Sequence, residues 1–384
     1  MKKSKIAIIG KGTSAILTSL ICIKEGYEVE IFFDPNQNHL MVGESTTTHI
    51  ANVLTTVLDI SVGDLVENNV ASFKHGTKFI NWGCGKTFRH HFEDNLVGFH
   101  FDTNTFNNYI TNILKNIGVI FHPEKVEDKT YCQDKVLINS KHYDFVISCS
   151  GWSNEMEYNF PIINPVNSVF LHKKNIIEDY SYTLHKAHEY GWEFGLPFPD
   201  KGITKYGFLF NDNYVSKKEL EHKFPDSRFL TWTPRYAKKL IQNNFEAYNG
   251  NKLFFVEPLQ ALSLYHYVIF ARAICKFLDN KNDLTFIEAN KYYLDTIYAY
   301  QQTLSFHYQY GSIYDNLYWK DIQTVSKNIL DTNINSNEDI LLKNLEIYKK
   351  SNGEIDNTWI GLYNYPAVKT IHSGMLDQKL NFYP

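Results

Sequence analysis

KIAIIGKGTSA, residues 5–15, is the stretch whose reading decides the fold of this chain. Lys5 to Ile9 is a short apolar run of buried-strand type, and Gly10 and Gly12 follow it at once. Ile16, Leu17, Leu20 and Ile23 then recur at helical spacing, and Tyr27 to Phe33 reads as a second strand ending in Asp34. That order is a strand, helix, strand unit with parallel strands. Within it, Gly10, Lys11, Gly12, Thr13, Ser14 and Ala15 fit G-x-G-x-x-G/A, a fingerprint whose glycines let the backbone approach a pyrophosphate held at a helix N-terminus. The motif is weak in isolation and gains weight here from its context. It follows a strand, opens a helix, and has an acidic residue, Asp34, about 20 positions on.

Outward from this unit, strands are expected at Ser72 to Trp82, Val119 to His122 and Asp144 to Cys149, with a helix from Asp102 to Ile117 capped by Asp102 or Thr103. From Asn167 to Leu230, short strands separated by Gly, Pro and Asp turns read as an inserted antiparallel sheet. Beyond Pro258 the pattern turns helical, from Leu262 to Leu278 and from Leu284 to Tyr310. The segment from Ser326 to Pro384 is polar with aromatic islands and yields little. The expected architecture is α/β: a Rossmann-like nucleotide-binding part over 1–165 that includes the Lys74 strand, an inserted antiparallel sheet over 166–235, and a return to the nucleotide site with a helical region over 236–384.

Composition narrows the class. With 384 residues, 43% of them hydrophobic, the chain can bury a sizeable core. A net charge of −4 leaves no large basic surface, so nucleic acid is not an expected partner. Cys22, Cys84, Cys132, Cys149 and Cys275 are scattered without a Cys-x-x-Cys pair, which argues for reduced thiols in a cytoplasmic setting and against a zinc site. No stretch approaches the roughly 18 apolar residues of a membrane span, so no membrane partner is expected. The adjacent pair His90 and His91 diverges on a strand and makes no metal motif.

Five segments, taken in order, carry a family resemblance: KIAIIGKGTSA, MVGESTTTHI, ASFKHGTKFINW, GWEFGLPF and LFFVEPLQALS. Their order and spacing resemble the flavin-dependent halogenases, the tryptophan halogenase type in particular, and Phe99, His100, Phe101 and Asp102 match a further block. The resemblance implies an FAD-binding fold of the glutathione-reductase or hydroxylase type over 1–165, a return to the FAD site with a helical substrate-binding cap over 236–384, FAD supplied reduced by a partner flavin reductase, and chloride, bromide or iodide as co-substrate. In that family oxygen and halide yield hypohalous acid at the flavin, and the acid travels through a narrow passage to a lysine that delivers an electrophilic halogen to a small aromatic substrate. Lys74, in ASFK, matches that lysine; a partly desolvated ammonium is what would make it reactive near neutral pH. On a strand Lys74 and Lys78 share a face, so only the resemblance selects the former.

Further site residues follow by matching. Gly43, Glu44, Ser45 and Thr46 match the segment beside the flavin ring, with Thr48 where relatives often carry proline. Ser150 and Gly151 match the segment near the adenosine half, and Val126 falls where relatives use a backbone contact to adenine. Glu257, Leu259 and Leu264 are expected at the flavin, and Leu262 and Ser263 at the halide. Trp192, Phe194 and Pro197 correspond to a wall that separates flavin from substrate. Trp359 and Tyr365, with Trp319 and Tyr363, are aromatic candidates for stacking on the substrate.

The chain departs from the family at Gln260, where tryptophan halogenases carry a glutamate. A carboxylate there serves as a proton acceptor, a kind of help typically worth about 10² to 10⁴-fold, and glutamine cannot supply it. That points to an activated ring, such as a phenol or an electron-rich heteroaromatic. The chain is also trimmed between His91 and His100 and in its C-terminal lid. Two other readings fit the residues: a flavin monooxygenase that hydroxylates an aromatic, disfavoured because Tyr248, Asn249, Gly250 and Asn251 replace the Gly-Asp-Ala segment usual in such hydroxylases, and a flavin-binding protein without turnover.

Overall fold

The computed structural model describes residues 4–37, 44–93, 96–151, 157–176, 179–332 and 365–376, and of Gln260, Tyr365, Pro366 and Lys369 the backbone alone. They fall into two compact units, each built from three discontinuous stretches: 1–72, 98–160 and 235–295 form the first, and 73–97, 161–234 and 296–384 the second. This division cuts across the three consecutive blocks expected from sequence, and it assigns Lys74 to the unit of the antiparallel sheet rather than to that of the nucleotide fingerprint.

In the first unit a six-stranded sheet runs in the order Ile241–Asn243, Glu246–Tyr248, Phe145–Ser148, Lys5–Ile9, Glu28–Phe32, Ile120–His122. All its pairings are parallel except the outermost, between Ile241–Asn243 and Glu246–Tyr248. Parallel strands are covered on both faces, which is why KIAII and FVIS read as continuous apolar runs without alternation. Helix Thr13–Lys24 has buried residues at every position from Thr13 to Cys22. It packs against helix Ser263–Asp279, where the Cys22 and Cys275 sulfurs are 3.8 Å apart. Helix Thr103–Asn116 is capped by Asp102, whose carboxylate accepts the Thr105 amide at 3.1 Å, which resolves the choice between Asp102 and Thr103.

The second unit is organised on a seven-stranded sheet in the order Arg228–Thr231, Ser168–Lys174, Ile203–Phe210, Gly191–Phe198, Tyr182–His188, Gly76–Ile80, Phe88–His91. Neighbours are antiparallel except Tyr182–His188 with Gly76–Ile80. The expected insertion is thus present, and it recruits two strands from before residue 97. One face carries Phe170, Phe208 and Phe210 under Val215 and Leu220, a core cluster that Phe224 and Phe229 complete. Burying each such side chain stabilises the fold by roughly 1.5–3 kcal/mol. Helices Leu317–Thr332 and Tyr365–Leu376, which the polar tail did not announce, belong to this unit.

The single strand expected from Ser72 to Trp82 is two, Ala71–Lys74 and Gly76–Ile80, broken at His75. The His75 amide donates to Ser181 and its carbonyl accepts from Phe92, so it ties other segments rather than continuing a ladder. Gly76, at φ 156°, allows the close pairing that follows: a Cβ there would lie 2.1 Å from the His90 carbonyl oxygen. The break overturns the argument that Lys74 and Lys78 share a face, because strand alternation does not carry through it. Lys74 is 2% exposed, while Lys78 is half-buried on the Gly76–Ile80 strand.

Candidate active site

Three chain segments leave the carboxyl ends of adjacent parallel strands in the first unit, where α/β sheets bind nucleotides. Ile9, Phe32 and Ser148 are cross-strand partners in register, and each precedes expected site residues: Gly10 to Ala15, Asp34, and Ser150 with Gly151. The structure explains the two fingerprint glycines differently. Gly10, at φ 119°, is forced by protein, since a Cβ would stand 2.9 Å from the Cys149 carbonyl oxygen. Around Gly12 no atom of the described residues lies within 4 Å of a Cβ placed there, and as the N-cap of helix Thr13–Lys24 it supplies no side-chain cap. Open space beside uncapped amides at a long helix's N-terminus fits a pyrophosphate.

Neighbouring side chains hold this cradle rather than fill it. The Thr13 hydroxyl donates to Asn107 Oδ1 at 3.0 Å, and Asn249, fully buried, donates to Thr18 Oγ1 at 2.9 Å and to the Tyr267 carbonyl at 2.8 Å. Sequence reasoning read Tyr248 to Asn251 only as a missing hydroxylase motif, yet Asn249 is the residue that fixes the turn against the fingerprint helix. Asp34 accepts the Asn36 amide at 2.8 Å in the turn after its strand. Val126 packs on the cluster of Ala7, Phe32, Val136, Ile138, Tyr143 and Val146.

Glu44 and Ser45 pair with Phe101 and His100, and Thr46 both donates its amide to Phe99 and accepts from the Phe99 amide through its hydroxyl, so the Thr46 side chain is structural. Burial raises the Glu44 carboxyl to about 7. Glu257 and Leu259 are buried in the segment that enters helix Ser263–Asp279, with Leu262 as its N-cap and Ser263 and Leu264 in its first turn. That helix start has no side-chain cap, and Ala261 before it is held at φ 56°, a strained left-handed conformation for a residue with a Cβ. Gly43 and Trp359 lie outside the described residues, and for Gln260 and Tyr365 nothing of the side chain is described.

Lys74 is the centre of the second unit's polar interior. Its ammonium stands 5.3 Å over the Phe92 ring, and burial lowers its pKa from the ordinary lysine value to about 7. Three histidines surround this region. Burial is the main cause of depression for all of them: His90 to about 3, with further lowering from the charges of His307 and Lys74; His307 to about 4; and His185 well below its usual range, helped by Lys74 and His307. Sequence reading weighed His90 only as a metal ligand and passed over His185 and His307. The available signal was alternation, since His185 occupies the same phase of its strand as the buried Thr183 and Ala187.

Strand pairing sets the surroundings. Phe79 lies opposite His185, which lies opposite Phe194, and Trp192 lies opposite Ala187 on the same face. Their rings form a closed circuit with Trp82: Phe79 to His185 5.3 Å, His185 to Trp192 4.8 Å, Trp192 to Trp82 6.4 Å and Trp82 to Phe79 6.1 Å between centroids. Trp192 and Phe194 are therefore brought together, whereas Pro197 occupies the opposite face by alternation. Trp319 is packed rather than available for stacking: it is 2% exposed and donates its indole N–H to the His188 carbonyl at 2.8 Å.

A nucleotide cradle at the carboxyl ends of a parallel sheet, joined in one chain to an antiparallel sheet, is the architecture of FAD-binding oxidoreductases. The family model described as tryptophan halogenase matches residues 5–97 and 93–374, and the chain belongs to that family of flavin-dependent halogenating enzymes. Solved structures share the fold at low identity. The tryptophan halogenase from Shewanella frigidimarina is 17% identical with a TM-score of 0.80, over 98% of this chain and 89% of that one. A flavin-dependent halogenase from Xanthomonas campestris is 13% identical with a TM-score of 0.82, over 98% and 89%. The tryptophan 6-halogenase from Streptomyces toxytricini is 17% identical with a TM-score of 0.78, over 97% and 90%. No curated protein matches the chain. The family uses FAD and halide on aromatic substrates, and among the described residues no helix is long and apolar enough to cross a membrane.

Proposed function

We propose that this enzyme halogenates an electron-rich aromatic, a phenol or an indole-like ring, with Lys74 presenting the oxidised halogen. The observation that carries the reading is the burial of Lys74 in an aromatic interior that pulls its pKa to about 7. A lysine at the end of a strand normally extends its amine to water. Here desolvation keeps a substantial fraction of the amine neutral at physiological pH, ready to bond a halogen, and the remainder cationic, ready to donate a hydrogen bond to hypohalous acid. Both forms serve the transfer, and a dry pocket shields the reagent from side reactions.

FAD, delivered reduced by a separate flavin reductase, supplies the oxygen chemistry when bound. Gly10, Gly12 and the amides of Thr13, Ser14 and Ala15 would hold its pyrophosphate; Asp34, Val126, Ser150 and Gly151 its adenosine half; Glu44, Ser45, Thr46, Glu257, Leu259 and Leu264 its ring end. Leu262 and Ser263, at the uncapped helix start, offer amides to the halide. Trp192 and Phe194 wall the substrate side. Gln260 supplies hydrogen bonds without basicity, which matches a ring that already carries an activating substituent.

The test is incubation with FAD, a flavin reductase, NADH and each of chloride, bromide and iodide, against a panel of phenols and indoles, read by mass spectrometry. Halogenated phenol or indole is the expected result. Hydroxylated products would establish the monooxygenase alternative, and peroxide release with no product from any ring would establish a flavoprotein without turnover.

A further inference from the structure

Resting on that reading, we propose that His185 is the base that removes the ring proton when the aromatic is halogenated. Electrophilic substitution leaves a proton on the attacked carbon, and a nearby group must take it. The reaction balances as follows. The ring's π pair forms the carbon–halogen bond while the oxygen–halogen bond of hypohalous acid breaks, and the departing hydroxide takes a proton from the Lys74 ammonium to become water. The carbon–hydrogen pair then returns to the ring as the proton passes to His185 Nδ1. Transfer of that proton to the Lys74 amine restores both side chains.

Position separates His185 from His307 in this interior. It sits on the middle of its strand, between Phe79 and Phe194 on the flanking strands, with its imidazole packed on the Trp192 ring at 4.8 Å and on the edge of Phe79 at 5.3 Å. It is close enough to Lys74 for that charge to bear on it. His307, by contrast, has Nδ1 engaged 3.0 Å from the Thr303 carbonyl of its own helix.

His185 Nδ1 is buried and has no hydrogen-bond partner among the described residues. Leaving such an atom unsatisfied costs about 1–3 kcal/mol, so its persistence asks for a reason. Thr77 Oγ1, Trp82 Nε1 and Trp192 Nε1 are in the same condition. Trp82 and Trp192 are members of the same circuit of rings, and Thr77 lies one alternation from Phe79, on its face. Four unsatisfied polar groups gathered around one set of rings fit a site whose partners arrive with the substrate. Weak basicity is no obstacle, because the protonated ring intermediate is an extremely strong acid. What the step requires is an imidazole that stays neutral beside a cationic lysine, and burial provides it.

The test uses full-length enzyme loaded with FAD, bromide, and an aromatic that the wild type halogenates, unlabelled or deuterated at the reacting carbon. The wild type should show an isotope effect near unity. His185→Gln should lose about 10² to 10⁴-fold in halogenation with FAD binding and peroxide release unchanged, and its isotope effect should rise clearly above unity as proton removal becomes limiting. His185→Asn and rescue by added imidazole guard against a folding defect: imidazole should restore rate and return the isotope effect toward unity. Loss of rate with the isotope effect still near unity would reduce His185 to a packing role, and full retention of rate would exclude it. A wild type without any halogenated product would overturn the halogenase reading itself, and this proposal with it.

Discussion

The two faces of the seven-stranded sheet place their histidines in different company. On one face Glu193 lies between His172 and His188, with Oε1 3.3 Å from His172 Nε2 and Oε2 3.7 Å from His188 Nε2. Burial alone would raise this carboxyl, but the two histidines overcome it and lower its pKa to about 2. On the other face the charges that bear on His185 are those of Lys74 and His307, and no carboxylate is among them. A carboxylate hydrogen-bonded to one imidazole and within ion-pair reach of a second is a structural arrangement. A neutral imidazole near a desolvated lysine is an arrangement kept at a cost to stability, and such costs concentrate where chemistry is done.

The comparison can be broken by stability measurements, the largest effect coming first. Lys74→Met should raise stability at pH 7 by on the order of a few kcal/mol, because it relieves a buried amine whose proton affinity is depressed. The sign follows from linkage. Between about 7 and the ordinary lysine value near 10.5 the unfolded chain binds more protons than the native one, so wild-type stability should rise with pH over that window. Urea unfolding across pH 6.5 to 10 checks both statements, and a flat wild-type profile would contradict them. On the opposite face Glu193→Ala should cost about 1–2 kcal/mol at pH 7, since it removes the hydrogen-bond partner of the half-buried His172. The stability Glu193 contributes is present above the unfolded glutamate value near 4.5 and is lost as pH falls toward about 2, so wild type and variant should converge in acid.

A smaller effect sharpens the same contrast. Trp319 donates its indole N–H to a carbonyl, and Trp82, whose ring centroid lies 5.4 Å from that of Trp319, donates to nothing. Trp319→Phe should therefore cost about 1 kcal/mol more than Trp82→Phe, the volume change being common to both. Equal losses in thermal or urea unfolding would show that the Trp82 indole is satisfied in solution.

Much of the first unit was legible because its signals are local. The strand, the glycines and the helix of residues 5–24 specify one another, and Asp102 announces its helix by chemistry that acts within three residues. The second unit was legible only as an antiparallel pattern. Nothing near Lys74 in the sequence says that the strand stops at His75, since the reason is pairing with Ser181 and Phe92. The histidines illustrate the same limit. His90, His185 and His307 come from three distant segments, and that the charge of Lys74 bears on the first two depends on sheet order, which strand alternation predicts only after the order is known. The resemblance selects Lys74 because it compares whole frames, and it does not select His185 because no frame marks it.

The central claim is that Lys74, and no other lysine of its segment, presents halogen to the ring. Halogenated product per FAD-loaded enzyme, measured by mass spectrometry for wild type, Lys74→Ala and Lys78→Ala in the presence of methionine to consume free hypohalous acid, tests it most directly. The account predicts that Lys78→Ala matches the wild type and that Lys74→Ala forms no product while still binding FAD and releasing peroxide. Equal product from Lys74→Ala and the wild type would contradict it.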